Sequence, residues 1–286
     1  MRILLVSTLL LPAVLFAQGF DIYLFDITRD YALVQQVTDR EGYDNQPAFT
    51  LDSQSLMFSS DRAGEQTDLF RYRIADGQVT NLTSTPDENE FSPQPYGKDG
   101  FSYVLQEGNP YQHAWHRAYE GGEAQRLLTS YIPVGYYARN DKGVLFWGRY
   151  TYSLFFEPAG VDVGPGAGES LYVIDQAGRS IHAIPGSDHF SFVHKQSDWS
   201  WVIKRFDPGS KTLTPLVSIS SDDEDYCWHP EGFMITAAGS KLLRSRPGED
   251  EGWQDLVALE APGLNKGGRC AVSPDGRYLA LVNLRP

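Results

Sequence analysis

The chain is short of basic residues, of cysteine and of long apolar segments. Of its 286 residues, 24 are Lys or Arg and 37 are Asp or Glu, which gives a formal net charge of −13. This shortage of positive charge argues against nucleic acid or an anionic membrane surface as the main partner. After the first 20 residues no apolar run is long enough to cross a bilayer, so no membrane-spanning helix is predicted.

Catalytic motifs are also missing. The sequence has no Gly-x-Ser-x-Gly and no plausible catalytic pairing of Cys with His. A Gly-rich run at residues 164–168 lacks the lysine and the strand-to-helix context of a phosphate-binding loop, so we interpret it as a loop tip. Long helical periodicity is absent as well. These absences favour an all-β protein with no recognisable catalytic motif.

The start of the chain is its most apolar part. Arg2 is followed by an apolar stretch at residues 3–16 and then by Ala17. This order is typical of a secretory signal peptide, and the alternative is a buried strand. We therefore expect a signal peptide at residues 1–17 and one mature domain at residues 18–286, located in the periplasm or secreted.

Residues 42–83 form the clearest unit of the mature chain. Apolar and polar residues alternate at 55–60 and again at 68–74, and turns rich in Asp and Gly separate the runs. Alternation with a period of two predicts β-strands with one buried face. Four short strands in about forty residues are typical of one blade of a β-propeller.

An acidic turn followed by an apolar run recurs along the chain. The acidic residue of this turn stands at positions 52, 99, 141, 198, 231 and 275. A period of about forty to forty-five residues indicates four strands per unit. Strands predicted at 21–27 and 33–38 have no first pair, and the chain end at 270–283 has no last pair. The sequence therefore predicts a six-bladed β-propeller of four-stranded antiparallel blades, closed by N- and C-terminal strands that share one blade.

The repeats resemble those of the TolB-like propeller family, which are WD40-like repeats. Residues 273–280 read SPDGRYLA and residues 60–64 read SDRAG, and the first unit continues with Asp76-Gly77 and Leu82-Thr83. The resemblance covers nearly the whole mature chain. It implies a single propeller domain that acts as a periplasmic interaction scaffold.

Two cysteines, Cys227 and Cys270, begin the first strands of neighbouring units. An exported protein meets oxidising conditions, in which such a pair can form a disulfide. Their distances from the following proline differ by one residue, which predicts side chains on opposite faces of their strands. Two buried thiols are the alternative.

Polar residues precede the first strand of several units. In a propeller these entering loops surround one mouth of the central channel, where binding residues concentrate. The candidate residues in these loops are Asp44, Glu90, Asp188, His189 and Asp225. We expect them to form a negatively charged mouth that attracts cationic groups.

The third unit contains a long insertion at residues 150–169. We assign it to the loop between the second and third strands, which lies on the same face as the entering loops. Its aromatic residues Tyr150, Tyr152, Phe155 and Phe156 are therefore expected to overhang the mouth and to supply apolar anchors.

These features predict an exported, non-enzymatic protein that binds a protein, a peptide or another envelope component at the channel mouth, without a cofactor. One alternative is a lyase or lactonase that acts on a small molecule or carbohydrate and holds a divalent metal among Asp, Glu, Asn and His at the mouth. Another is a structural module of a larger exported complex.

Overall fold

Six separate β-sheets account for nearly all of the regular secondary structure in the described residues. The computed structural model describes residues 19–108, 111–160, 170–220 and 223–285. Within these residues, 24 strands form six four-stranded sheets, and one short 3-10 helix spans Ile27–Arg29. This confirms the all-β, six-bladed propeller. None of the described helices is long and apolar enough to cross a membrane.

Five blades are continuous in sequence, and in each of them the first strand is the innermost. Blade 1 consists of β3 (Asp44–Phe49), β4 (Ser55–Ser60), β5 (Asp68–Arg73) and β6 (Val79–Asn81). Blade 2 consists of β7 (Asn89–Pro95), β8 (Gly100–Gln106), β9 (Gln112–Ala118) and β10 (Gln125–Arg126). Blade 3 consists of β11 (Val134–Asn140), β12 (Gly143–Gly148), β13 (Leu154–Pro158) and β14 (Leu171–Ile174). Blade 4 consists of β15 (Ala177–Ala183), β16 (Phe190–Ser197), β17 (Ser200–Asp207) and β18 (Thr212–Ile219). Blade 5 consists of β19 (Cys227–Trp228), β20 (Met234–Ala238), β21 (Lys241–Ser245) and β22 (Gln254–Ala258).

The sixth blade is composite and joins the two ends of the chain. From the channel outwards it consists of β23 (Gly267–Val272), β24 (Tyr278–Leu284), β1 (Phe20–Asp26) and β2 (Ala32–Gln36). β1 and β24 are antiparallel, with Phe20 opposite Leu284 and Asp26 opposite Tyr278. The predicted closure is therefore confirmed, and it removes the open sheet edges that an unclosed ring would expose.

The hydrophobic core is divided among the interfaces between neighbouring blades. Leu56 and Phe58 of β4 pack against the composite blade, whereas Met57 of the same strand packs against blade 2. All six residues of β4 are buried. The alternation predicted only one buried face, but each blade is stacked between two others, so both faces of its central strands are covered.

The recurring acidic turn has a structural role in blade 1, where Asp52 accepts from Thr50 and from the Gln54 N–H, and in the composite blade. In the composite blade, Asp275 accepts hydrogen bonds from the Ser273 hydroxyl at 2.5 Å and from the Arg277 N–H at 3.0 Å. Its own N–H donates to the Ser53 hydroxyl of blade 1 at 3.1 Å. The turn therefore holds its own hairpin and also joins neighbouring blades.

Two blades differ from the predicted strand order. In blade 3, Leu171–Ile174 is the outer fourth strand, because β13 pairs with β12 and supplies the third. The predicted insertion at residues 150–169 therefore contains the third strand: its first residues form the loop before β13, and its last residues follow β13. Residues 161–169, including the Gly-rich run, lie outside the described residues. In blade 4, the acidic turn at Asp198 joins the second strand to the third, because β15 supplies an earlier first strand.

Candidate binding site at the channel mouth

The ring has two faces with different loops. Because the inner strands all run in one direction, the loops that lead into them share one end with the loops between the second and third strands. We call this end the front face, and the opposite end the back face. Both described chain ends lie at the front face, where Arg285 pairs with Asp21 and Asp39.

Asp44 and Glu90 lie at the front ends of their inner strands, as expected, but both are fully buried. Asp44 forms ion pairs with Arg40 at 3.2 Å and with Arg62 at 2.9 Å. The carboxylate of Glu90 accepts hydrogen bonds from the hydroxyls of Thr83 and Thr85. These groups stabilise the blade 1 and blade 2 loops and present no negative charge to solvent, which contradicts the predicted acidic mouth.

Burial changes the titration of Glu90. Removal from water raises the pKa of its carboxyl group from 4.5 to about 7, and the nearby charge of Asp68 acts in the same direction. The hydroxyl of Thr85 opposes the shift because it donates to the carboxylate. A substantial fraction of Glu90 is therefore uncharged at neutral pH.

Asp188 and His189 lie on the back face, so their predicted place at the mouth is wrong. They precede β16, the second strand of blade 4, and not its first strand. Asp188 forms an ion pair with Lys142 of another back-face turn at 3.2 Å, and His189 lies 3.7 Å from Asp207.

The predicted aromatic anchors divide into two pairs. Phe155 and Phe156 belong to strand β13, and Phe156 is buried against Phe190 and Phe206 of blade 4 at ring distances of 5.9 and 5.6 Å. Neither overhangs the mouth, because both are part of the blade. Tyr150 and Tyr152 do lie in the front loop between β12 and β13, with 51% and 62% of their surface exposed.

Exposed aromatic side chains are concentrated on one side of the front face. Eight large hydrophobic residues of the described chain are exposed, and five of them lie in front loops of blades 2, 3 and 4. These five residues, which we call the aromatic sector, are Tyr111, Tyr131, Tyr150, Tyr152 and Trp199. Sequence reasoning missed three of them, because exposure of a loop aromatic is not visible without the blade boundaries.

The central channel lies inside the ring of inner strands, and its described lining begins at about the third residue of these strands and continues to the back-face turns. It has a volume of about 330 Å³ and is lined by residues from all six inner strands. The charged side chains among its described lining residues are Arg139, Arg179 and Arg269, and none is Asp or Glu. The charged side chains that line the channel are therefore all basic, although the whole protein is acidic.

The loop that enters blade 5 carries the acidic partners of two of these arginines. Arg179 bonds Glu224 at 2.6 Å, and Lys195 lies 3.2 Å from the same carboxylate. Arg269 lies 3.5 Å from Asp225. Although burial alone would raise the pKa of Glu224, the hydrogen bond and charge of Arg179 bring it below its usual value. Asp225 is thus at the mouth, as predicted, but its charge is neutralised by Arg269.

A chain of aromatic rings connects the sector with the channel. The ring of Tyr152 contacts Trp147 edge to face at 5.3 Å, and Trp147 contacts Tyr136 at 5.8 Å. The guanidinium of Arg269 lies 5.5 Å from the centre of the Tyr136 ring. Trp147 is buried, so these contacts connect the sector with Arg269 through the protein interior.

The described residues do not fit the metal site of the alternative hypothesis. No group of three His, Cys, Asp or Glu side chains in the described parts of the chain is placed to hold a metal ion. His182 is the one imidazole among the described lining residues, and burial lowers its pKa to about 4.

Cys227 and Cys270 face each other between blade 5 and the composite blade. Both are free thiols in the structure and belong to one buried cluster. Cys227 faces the composite blade and Cys270 faces blade 5, so the two side chains lie on opposite faces of their own blades and meet at the shared interface. Burial raises the pKa of Cys270, and a hydrogen bond with Cys227 raises it further. The disulfide stays a prediction.

Comparison of sequences finds no relative: no protein-family model and no curated protein matches the chain. Comparison of structures gives clear matches. A protein assigned as TolB from Agrobacterium tumefaciens superposes with a TM-score of 0.69 over 94% of this chain and 99% of its own, at 13% identity. TolB from Acinetobacter baumannii gives a TM-score of 0.58 over 93% of this chain, at 11% identity, and the match spans 65% of the Acinetobacter chain.

An oligogalacturonate lyase in complex with manganese also superposes, with a TM-score of 0.57 over 93% of this chain and 83% of the lyase, at 12% identity. At such identities the similarity shows the fold alone. The expected likeness to TolB-like six-bladed propellers is confirmed at that level.

Proposed function

We propose that this chain is an exported, non-enzymatic binding protein of the cell envelope, and that it holds a protein or peptide partner on the aromatic sector beside the channel mouth. The observation that carries this proposal is the clustering of five exposed aromatic residues on three consecutive blades of one face. Tyrosine and tryptophan dominate the binding energy of protein interfaces. Exposed apolar patches on a soluble protein mark interaction surfaces.

The scaffold around the sector favours binding by a preformed surface. The neighbouring aromatic Trp147 is buried and donates its indole N–H to the Ala177 carbonyl at 2.9 Å. The guanidinium of Arg149 lies over the Tyr150 ring at 5.6 Å and its terminal nitrogen donates to Gln112. Side chains held in this way lose little freedom on binding, which improves affinity.

The lyase alternative has less support in this chain. The comparison includes a lyase solved with manganese, but fold alone does not transfer an activity. The described residues provide no group of three metal-binding side chains. The binding proposal needs only the surface that the front loops form.

The test is capture of an envelope partner by variants of the sector. The protein is immobilised and exposed to a solubilised envelope fraction of its source, and retained proteins are identified by mass spectrometry. The variant Tyr131→Ala/Tyr152→Ala/Trp199→Ala is expected to lose the specifically retained protein, because each substitution removes an exposed aromatic anchor.

Tyr172→Ala is the matched control. Tyr172 is an aromatic residue of similar exposure, 54%, but it lies on the outer strand β14. It should retain the partner. Equal capture by the parent, the triple variant and the control would refute the proposed surface.

A further inference from the structure

The cationic lining of the channel is unexpected in this acidic protein. The chain has 37 acidic and 24 basic residues, yet the described lining residues include three arginines and no carboxylate. His182 adds no positive charge at neutral pH, because burial keeps its pKa low. A cavity lined by charge of one sign concentrates ligands of the opposite sign, so the channel favours an anionic group.

Arg179 has hydrogen-bond donors available for such a group. Its Nε donates to Glu224, whereas its two terminal nitrogens have no hydrogen-bond partner among the described residues. The side chain is 47% exposed, so a ligand from solvent can reach it. The planar edge of a guanidinium matches the two oxygens of a carboxylate.

Arg139 extends the positive charge toward the back of the channel. It stacks on Tyr96 at 4.5 Å and donates to the Pro95 carbonyl at 3.5 Å. In the described part of the chain it has no ion pair with a carboxylate. Its charge is therefore not neutralised locally, in contrast to the charge of Arg269.

The size of the channel limits what enters it. A volume of about 330 Å³ is near the lower end of the roughly 300–1,000 Å³ that ligand pockets span. Such a space takes the end of a chain and not a folded element. The end of a polypeptide that carries a negative charge is its C-terminal carboxylate, which is ionised above a pH of about 3.7.

We propose that the channel receives the C-terminal carboxylate of the partner polypeptide, with Arg179 as its principal hydrogen-bond donor and Arg139 as a supporting positive charge. This inference rests on the proposed function, because the residues that precede the terminus cross the aromatic sector. Arg179 is the third residue of β15, so it lies near the front end of that strand, on the face that carries the sector.

The experiment compares peptides that differ only at the terminus. Immobilised protein of residues 18–286 is incubated with an equimolar mixture of two pools of randomised octapeptides. One pool has free C-terminal acids and the other, marked with heavy isotopes, has C-terminal amides. Mass spectrometry of the retained peptides is expected to show at least about tenfold enrichment of the free acids, since hydrogen bonds to charged groups contribute strongly.

Two variants assign the enrichment to the channel. Arg179→Gln should bring the acid-to-amide ratio close to one. Arg73→Gln is the matched control, because Arg73 is also about half exposed and also bonds a carboxylate, that of Asp76, at 2.7 Å, but lies on blade 1 away from the channel. It should leave the ratio unchanged. If Arg179→Gln does not fold, Arg139→Gln tests the same charge field and should lower the ratio at least about twofold.

Each other outcome has a definite meaning. Equal retention of acids and amides by the parent overturns the inference. The inference is also overturned if the parent retains trigalacturonate, Arg179→Gln does not, and neither peptide pool is retained. The channel would then bind an acidic sugar. If acids and amides bind equally but the aromatic triple variant still loses the envelope partner, the inference fails and the proposed function stands. If the parent retains acids in preference to amides but the aromatic triple variant captures the envelope partner as well as the parent does, the proposed function fails instead.

Discussion

Glu90 makes the stability of the ring depend on pH in a way that one substitution should remove. In the folded protein burial raises the pKa of Glu90 to about 7, whereas the unfolded chain keeps the ordinary value of 4.5. Between these values the folded state binds a proton that the unfolded state has lost. Stability therefore falls as pH rises through this range, because deprotonation favours the state with the lower pKa.

The expected size follows from the same two values. A difference of about 2.5 pKa units corresponds to about 3 kcal/mol of unfolding free energy, at about 1.4 kcal/mol per unit. Glu90→Gln keeps the shape and the hydrogen-bonding capacity toward Thr83 and Thr85 but does not titrate. The variant should match the parent near pH 4.5 and exceed its stability by about 3 kcal/mol at pH 8.

Urea unfolding followed by tryptophan fluorescence, at several pH values from 4.5 to 8, measures this difference. Other groups titrate in the same range: burial raises the pKa of Asp223 to about 6 and lowers that of His182 to about 4. They act equally in both proteins, so the difference between parent and variant isolates Glu90. Asp87→Asn removes an exposed charge from the same loop and should change stability by less than about 0.5 kcal/mol. Parallel stability curves for parent and Glu90→Gln would refute the reasoning.

Two further predictions concern the closure and the cysteines. Deletion of residues 278–286 removes β24 from between β1 and β23, and it should abolish cooperative thermal unfolding. Deletion of residues 285–286 alone should preserve cooperative unfolding. A cooperative transition in the larger deletion would contradict closure by β24. For the cysteines, reaction with a thiol reagent should detect no thiol in the folded protein, because both are buried, and two per chain after unfolding without reductant. A count of zero after unfolding would show that Cys227 and Cys270 form a disulfide.

The sequence was sufficient for the fold because the alternation and the acidic turns repeat with a blade-length period. The sequence was misleading in blade 4, because the recurring acidic turn does not stand between the first strand, β15, and the second strand, β16. Asp198 instead lies between β16 and the third strand, β17. That single shift of one strand moved Asp188 and His189 to the wrong face. In blade 3 it was the pairing of β13 with β12, not visible in the sequence, that placed Phe155 and Phe156 inside the blade.

The charge of the mouth could not be predicted, because it depends on pairs distant in sequence. Asp44 is neutralised by Arg62 and Asp225 by Arg269, across 18 and 44 positions. Reversing the charge of Asp44 or Glu90, which would test an open acidic mouth, would instead place a cation in a buried site. One signal was available: Arg179 and Arg269 are each the third residue of an inner strand, a position that faces the channel.

The composite blade also determines how the ring responds to mechanical force. β1 begins and β24 ends at the front face, and the two strands are direct antiparallel neighbours. A force that separates Gly19 from Arg285 therefore acts on one end of their ladder and breaks its hydrogen bonds one after another, starting with the bond from the Arg285 N–H to the Gly19 carbonyl. The ion pairs of Arg285 with Asp21 and Asp39 stand at that same end. Tension on the two chain ends would therefore break the ion pairs of Arg285 first and then the hydrogen bonds between β1 and β24 in a fixed order.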